Sequence, residues 1–252
     1  AAIYGSRAAN GVILITTKQG KNGVAKVALN AHYSFNVVRD NQTPLNAKEY
    51  KDLMDEIGLV KLPDNLTDVT DWKDEVYRTG AVQDYQLSIT NGNDKLRYFI
   101  SGGYTGETGV IKSSSFRRYN FRAAIENDIK PWLRLNASVA YSDYQWNGTG
   151  IISGTGSNRG GVITSIINTP TYAPVWDAEN PSHYNTNFYG VNITSPLENI
   201  ERTKNNKSAH NRIIATGKAI FKIMPTLKYT SSLTLDRGQG VVTAFLDPDK
   251  TL

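Results

Sequence analysis

The chain has 252 residues, a net charge of +5, a pI near 9.2 and no cysteine. The missing thiols exclude disulfides and thiolate metal centres, and the scattered basic residues argue against a nucleic-acid partner. No apolar run approaches the ~20 residues of a membrane helix, so only β-strands could carry this chain across a bilayer.

Gly5 and the Asn10-Gly11 pair are turn chemistry, because Gly and Asn tolerate positive φ. Val12 to Ile15 is an unbroken β-branched and Leu run, read as a short strand buried on both faces, with partners expected upstream of this chain. Residues 19–23 form a polar link carrying Gly20 and Gly23. From Ala25 the pattern becomes strict alternation: Val27, Leu29, Tyr33 and Phe35 share one face, and Lys26, Asn30, His32 and Ser34 the other. A period of two means a strand. Residues 40–81 break the rhythm. Asn46 is placed as N-cap of a helix with Glu49 closing a capping box and Gly58 as its stop, and Asp71 caps a second, shorter helix.

Alternation returns at Tyr85, Leu87 and Ile89, turns at Asn91-Gly92-Asn93-Asp94, and continues through Leu96, Tyr98, Ile100 and Tyr104. After a modest loop, Tyr119, Phe121, Ala123, Ile125 and Ile129 alternate with Arg118, Asn120, Arg122, Glu126 and Asp128. Lys130-Pro131 turns the chain into Leu133, Leu135, Ala137, Val139 and Tyr141, with Trp132 and Trp146 at the two ends of that strand. Residues 147–204 are a long Gly/Asn/Ser/Pro-rich interruption with a helical turn expected at 161–168. Two further strands follow, joined by Met224-Pro225, and Gly238 onward reads as another loop. Short turns and longer connections therefore alternate. That asymmetry and the mid-strand charges favour an antiparallel transmembrane β-barrel wall over a β-sandwich with one wet face.

The residues that begin the chain carry a family resemblance. Tyr4-Gly5-Ser6-Arg7-Ala8-Ala9-Asn10-Gly11-Val12 resembles the end of the plug domain in the SusC/RagA family of TonB-linked outer-membrane transporters. Asp71-Trp72-Lys73-Asp74-Glu75, then residues 91–99, then Phe116-Arg117-Arg118-Tyr119-Asn120, resemble that family's first barrel strands. The resemblance implies an all-β fragment: residues 1–20 as the end of the plug, and 21–252 as the first part of the barrel, about seven strands of a plugged wall of about 22. It implies a transporter importing oligosaccharides, peptides or similar bulky nutrients. Its partners would be a SusD-like surface lipoprotein, outer-membrane lipid and, through a segment outside this chain, TonB.

Site candidates are few. The opening glycines do not make a phosphate loop: five residues separate Gly5 from Gly11, and Val12 stands where that motif needs Lys. His32, His183 and His210 lack metal-ligand spacing, and neither Asp74/Glu75 nor Asp247/Asp249 is assigned as a glycosidase pair. No catalytic residue, metal or cofactor is assigned, and the chain is not read as an enzyme. The aromatic group of the long interruption, Tyr172, Trp176, Tyr184, Phe188 and Tyr189 with Asp177 and Glu179 nearby, has the chemistry to stack on sugar rings and accept their hydroxyls. Tyr172, Trp176, Tyr184 and Tyr189 are the substrate-contact candidates. Gly20 and Gly23 are the candidates for a hinge between plug and barrel. The alternatives are a surface β-sandwich that binds glycan, a passive porin and, least favoured, a glycoside hydrolase.

Overall fold

The computed structural model describes residues 11, 13, 16–39, 43–148, 161–185, 187–190 and 195–244. Most of the Tyr4–Val12 motif, the 12–15 run apart from Ile13, and the Asp247/Asp249 pair lie outside the described residues. Gly11 is described, and its φ of 104° is the left-handed conformation expected of a turn glycine.

Seven strands, β1 (Gly23–Asn36), β2 (Gly80–Gly92), β3 (Leu96–Thr108), β4 (Ser115–Lys130), β5 (Leu133–Asn147), β6 (Lys207–Met224) and β7 (Leu227–Thr243), form one sheet in chain order. Every neighbouring pair is antiparallel. The tight turns lie at one end of the sheet. At the first, the Asn93 side-chain oxygen accepts from the Lys95 and Leu96 amides at 2.9 and 2.8 Å, an Asx-type closure of the hairpin.

Register turns the alternation into two continuous surfaces. Directly opposed antiparallel residues point to the same side. The rows Leu29–Leu87–Gly102–Phe121–Tyr141–Ile213 and Ile125–Ala137–Gly217–Leu233 therefore share one face. That face is bare: Leu29 is 68 % and Leu233 80 % exposed. On β4 that face carries Tyr119, Phe121, Ala123, Ile125 and Ile129, with Asn127 between the last two. Ten steps of ~3.3 Å, tilted by about 40°, span roughly 25 Å, the height of an outer-membrane apolar band. Aromatic rows bound it. Tyr85, Tyr104 and Tyr119 stand side by side at one limit. Trp132, Phe221 and Tyr229 associate at the other, with ring centroids 6.3 and 6.0 Å apart.

The opposite face is polar. Arg97 pairs with Glu126 and Arg134 with Asp128 across adjacent strands, the latter at 2.6 Å, and Arg97 also reaches Asp128 at 3.3 Å. Such lateral pairing keeps charges hydrated and neutralised in pairs.

One boundary differs from the sequence reading. The loop expected from Gly238 is strand as far as Thr243. Gly238 and Gly240 stand opposite Arg212 and His210, and β6 supplies the ladder that overrides the low strand preference of glycine.

The long connections, residues 37–79, 109–114 and 148–206, all emerge at the other end, and their described residues fold into one cap. It holds α1 (Ala47–Ile57), α2 (Trp72–Val76), α3 (Val162–Asn168) and α4 (Pro196–Thr203). Asn46 and Glu49 form the anticipated capping box, and Gly58 terminates α1 at φ 66°. Asp71 caps α2 through the Lys73 and Asp74 amides. Among the described residues, twelve of the thirteen buried apolar side chains belong to the cap cluster; Phe99 alone is on the sheet. The hydrophobic core is thus in the loops, and the sheet has no dry interior of its own.

Candidate functional site

Three local arrangements on or above the polar face can do something beyond holding the fold together. The first is the segment leading into β1, which lies across that face. Arg122 Nη2 donates to Thr17 Oγ1 at 2.7 Å, the Lys21 amide donates to Thr90 Oγ1 at 3.2 Å, and Asn22 Nδ2 donates to Asp94 Oδ1 at 3.1 Å. A Cβ on Gly20 would sit 2.2 Å from the Tyr98 nitrogen and 2.6 Å from the Arg97 carbonyl carbon, so only glycine lets the segment lie this close to β3. Gly23 is different. It has φ 124° and open space around it, so its backbone conformation, not contact, calls for glycine. A cavity of about 360 Å³ remains between segment and wall, lined by Thr17, Gln19, Arg122, Asn136, Thr216 and Lys218 among others.

The second arrangement is the cap. Its connections interlock through backbone groups that would otherwise be orphaned. Trp72 Nε1 donates to the Pro170 carbonyl at 2.9 Å, Thr70 Oγ1 to the Ala173 carbonyl at 2.8 Å, and the Lys112 amide to the Val76 carbonyl at 3.0 Å. The structure divides the aromatic candidates. Tyr172 is 3 % exposed and Phe188 is likewise buried, so both are core rather than contact surface. Burial pushes the Tyr172 hydroxyl above the ordinary phenol range. Tyr189 is exposed at φ 52°, its ring 5.8 Å from that of Tyr172.

Trp176 and Tyr184 come together as an antiparallel bridge with stacked rings 4.9 Å apart, and Trp176 is 49 % exposed. They ride on a small hairpin: the Asp177 amide donates to the His183 carbonyl and the Asn185 amide to the Val175 carbonyl, each at 3.0 Å. Asp177 Oδ1 is engaged within the turn, accepting from the Glu179 and Asn180 amides at 2.7 and 2.9 Å. Glu179 stays exposed beside it.

A third arrangement escaped the sequence reading. Phe116, Tyr144, Trp146 and His210 occupy polar-face positions where β4, β5 and β6 approach the cap. Their centroids are 5.0 Å (Tyr144–Trp146 and Tyr144–His210) and 5.2 Å (Phe116–Trp146) apart. The signal was available: these rings break the rule that aromatics take the apolar parity.

The chain is 32 % identical over 272 residues to the TonB-dependent receptor SusC of Bacteroides thetaiotaomicron, an alignment covering 98 % of this chain and 26 % of that relative. It belongs to the SusC/RagA family of TonB-dependent receptors. A receptor of the same kind from Formosa agariphila is 33 % identical over 199 residues, covering 77 % of this chain and 19 % of the relative. No family model matches.

Among solved structures, the RagAB peptide importer in its 'closed-closed' and 'open-open' states superposes with a TM-score of 0.75, at 20 and 19 % identity. The match covers 94 % of this chain and 30 % of that one. The chain thus spans about a quarter of the length of the first curated relative, and its meander is a section of the SusC/RagA barrel. SusC/RagA receptors are outer-membrane β-barrels, which assigns the bare face to lipid and the tethered face to the lumen.

Proposed function

We propose that this chain is the plug-to-barrel passage and first wall section of an outer-membrane active transporter. The transporter imports oligosaccharides or similar bulky nutrients with a SusD-like lipoprotein. The observation that carries the reading is the opposition of a bare, aromatic-bounded apolar face to a charged face against which the incoming segment is hydrogen-bonded. A β-sandwich would bury the first face; a passive porin has no use for the second arrangement.

In this reading residues 1–20 end the plug, residues 21–252 begin the barrel, and TonB acts on a plug segment outside the chain. Gly20 and Gly23 divide the passage. Gly20 seats the chain on the wall and Gly23 gives the turn into β1, so plug motion passes to the residues before Gly20. The cap faces the external medium, where the Trp176–Tyr184 pair offers a flat surface to cargo, with Tyr189 at the edge of the same cap. Peptide cargo is the second reading, favoured by the likeness to the RagAB peptide importer.

The test uses the full-length transporter in a deletion strain. Oligosaccharide uptake is expected to stop when the proton gradient is collapsed; uptake that continues would make the barrel a porin. Replacing Trp176 and Tyr184 together by Ala is expected to weaken uptake affinity about tenfold, the loss of one stacking contact. Unchanged affinity and rate would remove the pair from the site.

A further inference from the structure

Resting on the import reading, we infer that the luminal wall just below the cap carries a second carbohydrate subsite, built on Trp146, Tyr144, Phe116 and His210. These rings lie on the polar face, not in the lipid-facing girdle, because β5 pairs without a register break from Leu133 to Asn147 on its β6 side. Trp146 therefore shares its side with Tyr144, Ser142 and Asn136, and Phe116 with Arg118 and Arg122.

The rings form a shelf. Tyr144 stacks on His210 with planes 20° apart, Trp146 meets Tyr144 edge-on at 72°, and Phe116 flanks Trp146. Gly240 opposite His210 makes room for it: a Cβ there would come within 2.6 Å of His210 Nδ1. Trp146 keeps 45 % of its surface open.

Hydrogen-bonding groups border the shelf on its own face. Arg118 stands directly across from Tyr144; its Nη2 donates to Thr105 Oγ1 at 3.3 Å, and among the described residues its buried Nε has no hydrogen-bond partner. Ser208 Oγ lies 2.9 Å from His210 Nε2, and Arg212, ion-paired with Asp236, stands directly across from Ser142 in the next same-face row below Tyr144 and His210. A partly open indole with donors and acceptors of both signs around it suits a pyranose ring. The C–H face lies on the aromatic surface and the hydroxyls meet the polar rim. A wholly apolar ligand would leave that rim unpaired, and a ligand read by charge alone would have no need of four rings. The shelf lies on the cargo's path from the cap into the lumen, so it acts after the Trp176–Tyr184 pair.

The experiment uses the detergent-purified full-length transporter and a panel of cellohexaose, maltohexaose, mannohexaose, hexagalacturonate and random hexapeptides. Import in cells first selects the hexamer that is carried. If no saccharide is carried, the import reading fails for saccharides and the shelf falls with it.

With a carried saccharide, Trp146→Ala is expected to weaken binding about tenfold. Trp146→Phe should recover most of the loss, and Gly240→Ala should reproduce it in part by displacing His210. Heat-modifiable migration of each variant on gels checks that the barrel is intact. An intact Trp146→Ala variant with unchanged affinity and uptake would overturn the subsite while leaving the import reading standing. Equal losses for Trp146→Ala and Trp146→Phe would also overturn it, since ring stacking would then not be what Trp146 contributes.

Discussion

Gly20 and Gly23 look alike in the sequence, two glycines in one polar link, and the structure gives them opposite reasons. Gly23 is there for its φ of 124°, Gly20 for the 2.2 Å that a Cβ would leave to the Tyr98 nitrogen. Gly20→Ala is therefore expected to lift the tether from β3 at a cost of about 1–3 kcal/mol, the usual range for forcing extra atoms into a filled site. Tryptic cleavage after Lys18 and Lys21 in the intact transporter should accelerate; unchanged cleavage would show that the close approach is not maintained. The Thr17–Arg122 bond spans 105 residues of sequence, so no local pattern could have announced it.

Among the elements, α1 was legible because its start and stop are written locally, in Asn46, Glu49 and Gly58. The shorter α4 was not. Its Ser195 makes no side-chain cap bond, and the helix is held by burying Pro196 and Ile200 in a core drawn from other connections. The substrate-contact candidates divide for the same reason. Chemistry alone ranks Tyr172 with Trp176, and only packing sends one ring inward.

That packing has a pH signature. Burial raises the Tyr172 pKa above the ordinary 10.0. Its contribution to cap stability is complete below pH about 10 and is lost as pH rises towards the raised folded value. Protease resistance of the cap should fall in this alkaline range while the wall stays resistant. In Tyr172→Phe the part of that fall due to this hydroxyl should vanish; an identical alkaline profile would show that Tyr172 is not the titrating group.

For the molecule as a whole, the period-two pattern was sufficient to place both faces, since the strands follow it apart from a few positions such as Phe99, Phe116, Tyr144 and Trp146, and the register keeps the faces aligned. Ile125 lies near the middle of the apolar belt. Ile125→Arg should cost about 2–4 kcal/mol of membrane stability, whereas Ser232→Arg, on the polar face beside Lys218, should cost little. The fraction of full-length transporter reaching the heat-modifiable state measures both, and equal losses would contradict the assignment of faces.

What composition could not reveal is the cap, because its core is assembled from side chains far apart in the chain: the Trp72–Pro170 and Thr70–Ala173 bonds span 98 and 103 residues. This has a temporal consequence. Both bonds become cheaper to close once β2 to β5 lie side by side, since those strands bring the two loops within reach. The cap is therefore expected to be a late product of assembly. An assembly intermediate stalled at the membrane would carry a finished wall section beneath loops still open to proteases.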